Sequence, residues 1–191
     1  MKKTLLFASI ISFAIFSCGE KTTTETNSEE TPTTSEVSSA RATKVTNSNS
    51  TAAIIDGYLV VKDALVADDQ SLASSKSADL VSALESYDIA TAKANDPEEL
   101  ERLQIEALRI SKSLTTGDIG AQRENFQMLS GIMKDLLKIA GTDRTLYHQY
   151  CPMYKNNTGG MWLSASEDIK NPLFGSSMLT CGRVEETLAL N

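Results

Sequence analysis

Between positions 54 and 140 the apolar residues recur at intervals of three and four. That rhythm constrains the fold more than any other feature, because a helix alone gathers residues so spaced onto one face. Ile54, Tyr58, Val61 and Leu65 open the pattern, and Ala73, Ser77, Leu80, Leu84 and Tyr87 resume it after a break at "DDQS", where Asp68 or Asp69 could cap the second segment. Asn95-Asp96-Pro97-Glu98 is a helix start, with Asp96 as N-cap and Pro97 in the first turn. Leu100, Leu103, Ala107, Ile110 and Leu114 form a heptad-like stripe that Thr116-Gly117-Asp118 interrupts. Phe126, Leu129, Ile132 or Met133, Leu136 and Ala140 share one face of a fourth segment, which ends at Gly141. Four amphipathic segments with polar connections predict an all-α chain, an antiparallel four-helix bundle. Met128 and Met133 read as core filler. Arg102, Arg109 and Arg123, beside Glu101, Glu106 and Glu124, read as solvated faces with local pairing.

The N-terminus bears on the compartment. Lys2 and Lys3 precede an apolar run from Leu5 to Phe16, short for a membrane span and of the right length for the core of a signal peptide. The run stops at Ile15-Phe16-Ser17-Cys18, which resembles the lipobox of bacterial lipoproteins. That resemblance implies a signal peptide over 1–17, cleavage, and a lipid on Cys18 that anchors the chain in a membrane. Residues 18–50 are nearly all Thr, Ser, Glu, Asn and Lys, a composition that cannot bury enough apolar surface to offset ordering, so they read as a disordered tether. The expected location is the cell envelope, at the outer membrane facing the periplasm. Removing the leader leaves 16 of the 18 basic residues against 25 acidic ones, about −9, so nucleic acid is not an expected partner. Residues 51–191 then form one helical-bundle domain.

Its last part differs in kind. The stretch "YHQYCPMYKNNTGGMWLSASEDIKNPLFGSSMLTCG", Tyr147 to Gly182, holds the only His, the only Trp, both Cys outside the leader and three of six Met. Aromatics, Gly and Pro replace the helical rhythm, which suits an irregular, loop-rich C-terminal segment packed on the bundle. His148, Cys151 and Met153 lie within six residues, and Met178 and Cys181 form a second cluster. Thiolate, thioether and imidazole together select soft metals, Cu(I) above all and Zn less so, while the sparse carboxylates beside them argue against Ca or Mg. In an exported domain the same Cys151 and Cys181 can instead pair as a disulfide that staples a weakly periodic segment. The Cys-Pro-Met spacing lacks the paired Cys-x-x-Cys of a structural zinc site. Cys151 with His148 offers a nucleophile and a base but no orienting third group, so an enzyme is not expected.

"YLVVKDALVADD", "DIGAQRENFQMLS" and the terminal stretch resemble a bacterial domain family of unknown function, found in exported lipoproteins and appended to periplasmic adaptor subunits of copper and silver efflux systems. The likeness runs from Thr51 to Gly182. "CPM" is also similar to the small heavy-metal-binding modules associated with those adaptors, which continue into a second knuckle such as Cys-Pro-x-Cys-Gly-Met where this chain has only "MLTCG". The resemblance implies His148, Cys151, Met153, Met178 and Cys181 as metal ligands. The expected function is an envelope lipoprotein that binds or buffers copper and passes it to an efflux adaptor. The alternative is a protein-interaction module without metal, stapled by Cys151–Cys181.

Overall fold

Three aspartates start three of the four long helices. These are α1 (Ala52–Val66), α2 (Gln70–Glu85), α3 (Pro97–Leu114) and α4 (Ile119–Ala140). The computed structural model describes residues 50–190 apart from Lys93, so the expected signal peptide, the lipid on Cys18 and all but the last residue of the tether over 18–50 lie outside the described residues. Asp69 accepts from the Leu72 amide at 2.8 Å, Asp96 from Glu99 at 3.1 Å and Asp118 from Ala121 at 2.8 Å. Each cap satisfies an amide that a helix start leaves without an internal acceptor, a contribution of about 1 kcal/mol apiece. Gly141 ends α4 in a positive-φ conformation, φ 84°, with its amide on the Leu137 carbonyl.

The helices pack in sequence, α1 on α2, α2 on α3 and α3 on α4, and α4 closes back on α1. The apolar stripes meet inside: Ile54, Tyr58, Val61 and Leu65 from α1, Leu80 and Leu84 from α2, the whole α3 stripe, and Phe126, Leu129, Met133 and Leu136 from α4 are buried. Met128 departs from the core-filler reading. It sits two residues beyond Phe126, on the opposite side of α4, and is exposed. Buried Gln122 ties three helices through one amide, which donates to the Gln70 and Leu114 carbonyls and to Ser74 Oγ at 2.9–3.2 Å.

The expectation of an all-α chain with an irregular, loop-rich C-terminal segment is overturned beyond Gly141. Strands β1 (Leu146–Cys151), β2 (Gly160–Ser164) and β3 (Arg183–Leu188) form a three-stranded antiparallel sheet in the order β2-β1-β3. The helical part stands; the terminal segment is a sheet packed on it. The period-two signal is hidden because β1 is covered on both faces, so polar and apolar residues do not alternate along it. One face, with Leu146 and His148 beside Leu163 of β2, turns to α4. The other, with Gln149 and Cys151 beside Trp162, lies under the excursion 165–182. A bulge at Glu185 of β3 interrupts the ladder between His148 and Gln149.

Tyr58 fastens the sheet to the bundle. Its ring stacks on Phe126 at 4.8 Å, its hydroxyl lies 2.6 Å from Ser130 Oγ, and it accepts the Leu163 amide at 3.0 Å. Ser130 spends its proton on the Phe126 carbonyl, so the Tyr58 hydroxyl donates to Ser130. Burial pushes its pKa far above the usual tyrosine range. The amide at the outer edge of β2 is thereby satisfied by a helix side chain, leaving β3 with its Arg183, Glu185 and Glu186 as the charged outer edge.

Candidate functional site

Strand geometry separates the five residues expected to converge. Successive side chains of a strand point to opposite faces, so His148 and Cys151, three apart on β1, cannot face the same way. His148 turns toward α4, where its Nδ1 lies 3.1 Å from Lys134 Nζ. An ammonium has only donors, so Nδ1 must accept and the proton belongs on Nε2, which is buried without a hydrogen-bond partner among the described residues. Lys134 also pairs with Glu186 at 2.7 Å, and Lys138 reaches the same carboxylate at 3.2 Å. Burial, and then the Lys134 charge, hold the His148 pKa below its ordinary value, against the pull of Glu186 and Glu185. His148 is thus a neutral imidazole inside a charged seam between α4 and β3.

The cysteine pair lies on the other side. Cys151 is fully buried and bonded to Cys181, with the two Cα atoms 5.7 Å apart. Met153 follows two residues after Cys151 and is 48% exposed; Met178 precedes Cys181 in a turn closed by the Cys181 amide on the Met178 carbonyl at 3.1 Å, and is 37% exposed. An exposed thioether thus lies within three residues of each disulfide cysteine in sequence. Among the described residues no three of His, Cys, Asp and Glu gather as a metal cluster.

Backbone detail presents these two methionines. After Pro152 and Met153 the four-residue turn Tyr154–Asn157 runs left-handed, with φ of 44°, 56° and 68° at Lys155, Asn156 and Asn157. Left-handed residues cost roughly 1–2 kcal/mol each, least for Asn, which explains "NN" at this place. Thr158 holds the turn by donating to the Lys155 carbonyl at 2.9 Å. On the other arm, the 3-10 turn Gly175–Met178 is pinned to the bundle by Asp68, which accepts the Ser176 amide at 3.1 Å and pairs with Arg123. Hydrogen bonds from Ser176, chiefly, lower the Asp68 pKa to about 2. Arg123 further donates to the Pro172 and Leu65 carbonyls, so it is a cross-link and not the solvated residue its sequence neighbours suggested. Nothing in local spacing signals this contact between residues 55 apart.

Between the arms, the excursion is organised by two buried amides. Gln149 donates to the Ser166, Glu167 and Asp168 carbonyls at 2.8–3.3 Å and accepts from Trp162 Nε1 at 2.7 Å. Asn171 donates to the Cys181 carbonyl at 2.8 Å and accepts from the Leu173 and Phe174 amides. Gly182, at φ 148°, lies so close under Trp162 that a β-carbon there would come within 3.0 Å of the indole. Trp162 is therefore a packing anchor with a satisfied N–H. Sequence reasoning passed over Gln149 and Asn171, although polar residues inside an otherwise apolar, aromatic stretch are a usable signal.

Residues 54–145 match a family model described as "Protein of unknown function (DUF3347)". The match spans nearly all of α1 through α4, just under half of the chain, and stops one residue before β1. The matched segment is therefore helical, and the sheet with Cys151 lies beyond it. No curated protein and no solved structure matches the chain.

Proposed function

We propose that the protein is an envelope lipoprotein that binds a soft metal, Cu(I), through sulfur, and hands it to an efflux adaptor or another envelope protein. The observation that carries this reading is the pairing of Cys151 with Cys181, with an exposed methionine two residues after the one and three residues before the other in sequence. Thioethers together with thiols are the donor set that Cu(I) prefers. His148 is left out of the set because it faces Lys134 on the opposite side of β1. The disulfide is the metal-free, oxidised form. A dithiol reductant supplies two electrons and two protons to open it, and Cu(I) then displaces thiol protons, so affinity falls as pH falls. The methionines complete the shell and give the ion a surface route out.

Thr51 donates to the Gly141 carbonyl at 3.1 Å, so the first described residues lie at the end of the bundle where α4 finishes. Met178 belongs to the turn pinned at Asp68, beyond the other end of α1, some 22 Å along a 15-residue helix. On this reading the protein acts by binding, and His148 is turned to Lys134 rather than toward the cysteine pair.

The experiment is a competition titration of Cu(I) against a chromophoric chelator, run anaerobically on the reduced full chain, the oxidised chain, and Met153→Leu and Met178→Leu variants. One-to-one binding by the reduced chain, lost on oxidation and weakened in both variants, is expected. Reduced protein that leaves all Cu(I) with the chelator sinks the proposal and leaves an interaction module stapled by its disulfide.

A further inference from the structure

We infer that Asn171 is a positioning residue for the sulfur pair, holding Cys181 against Cys151 whether or not the two are bonded. The inference deepens the proposed sulfur site and rests on that reading for its purpose. Asn171 is fully buried and uses every polar group it has. Its side-chain amide donates to the Cys181 carbonyl at 2.8 Å, and its side-chain oxygen accepts from Leu173 at 2.8 Å and Phe174 at 3.2 Å. Its backbone amide donates to the Leu179 carbonyl at 2.8 Å, and its carbonyl accepts from Gly175 at 2.9 Å. The oxygen shapes the turn at "NPLFG"; the nitrogen, with the Leu179 bond, brings the returning chain back across it.

None of these bonds contains sulfur. The Cys151 side is fixed as independently, by the ladder to β2 and by Gln149, two residues away, which grips three successive carbonyls of the excursion. Gly182, pressed under Trp162, locates the residue after Cys181. Opening the disulfide therefore removes one tether among several, and the two thiols stay neighbours. That is what a metal pair needs: the donors are preorganised before the ion arrives, so ordering them costs little at binding.

Asn171→Asp separates the two functions of the side chain. It keeps an acceptor for the Leu173 and Phe174 amides but sets a second acceptor against the Cys181 carbonyl. The test equilibrates the full chain with glutathione and glutathione disulfide. Two protein thiols lose two electrons and two protons, one protein S–S bond forms, and the S–S bond of glutathione disulfide opens to two thiols. Asn171→Asp should lower the equilibrium constant for disulfide formation by about tenfold, the size of one buried hydrogen bond replaced by an unpaired acceptor, because the oxidised variant must hold that acceptor against the Cys181 carbonyl whereas the reduced variant can let Cys181 swing away. A residue that only supported the fold would destabilise the oxidised and reduced forms alike and leave this constant unmoved, so equal constants overturn the inference.

Should the variant fail to fold, the wild type decides. The side-chain amide resonances of Asn171 should keep their shifts and their exchange protection when the disulfide is reduced, and loss of that protection overturns the inference. Wild-type protein that shows the expected redox behaviour but binds no Cu(I) refutes the copper reading alone, so the two failures are distinguishable.

Discussion

Reducing the Cys151–Cys181 bond should weaken the fold by an amount that its loop length sets. The bond closes a sequence separation of 30 residues. With the chain-entropy relation for such a loop, the constraint removed from the unfolded chain amounts to about 3.6 kcal/mol at 25 °C. At a urea slope of about 2 kcal/mol per molar for a domain of this size, the unfolding midpoint should fall by about 2 M. Trp162 is the natural probe. It is the chain's single Trp, fully buried, and hydrogen-bonded to Gln149 on the sheet face that the disulfide shares. Its fluorescence should report folded protein in both redox states without denaturant, with the lower midpoint in the reduced state. A midpoint that shifts by less than about 0.5 M would refute the staple's energetic role. Emission from an exposed indole on reduction alone would refute the claim that Gln149 and Asn171 hold the excursion in place.

Further expectations follow from the same packing. Tyr58→Phe leaves the buried Leu163 amide without its acceptor and should cost about 1–3 kcal/mol in chemical denaturation. Gly160→Ala places a β-carbon 2.6 Å from both Leu173 Cδ1 and Tyr154 Cδ1, and this overpacking should cost about 1–3 kcal/mol by the same assay. His148 has a folded pKa below its ordinary 6.5, so the unfolded chain takes up the proton first. Stability present above that pH should decline as the pH falls from about 6.5 toward the folded pKa, and His148→Gln should flatten this part of a stability-against-pH series. Asp68, with its pKa lowered from 3.8 to about 2, adds stability above pH 3.8 that is lost between those values, and Asp68→Asn should remove that acid-limb slope.

The helices were legible because each buries one face and exposes the other. The stripe Leu100, Leu103, Ala107, Ile110 and Leu114 is buried in full, and Asp96-Pro97 starts α3 where cap chemistry placed it. Asp69, and not Asp68, caps α2, because Asp68 sits at φ 59° and turns its carboxylate to Ser176 and Arg123. The sheet was not legible for the opposite reason. A six-residue strand covered on both faces carries no alternation, and Gln149 and His148 look like loop residues until the groups they meet are known. The Cys pair was readable as one of two alternatives. What spacing could not give was the side of the strand on which each donor lies, and that excludes His148 from the sulfur group.

The measurement that tests the central claim most directly is X-ray absorption at the copper edge on the full chain, reduced and loaded with one equivalent of Cu(I). The account predicts a shell of sulfur alone, from Cys151 and Cys181 with thioether from Met153 or Met178, and an unchanged spectrum in His148→Gln. Imidazole scattering in the wild type that disappears in His148→Gln would contradict the account, because it would require β1 to present His148 and Cys151 to one ion.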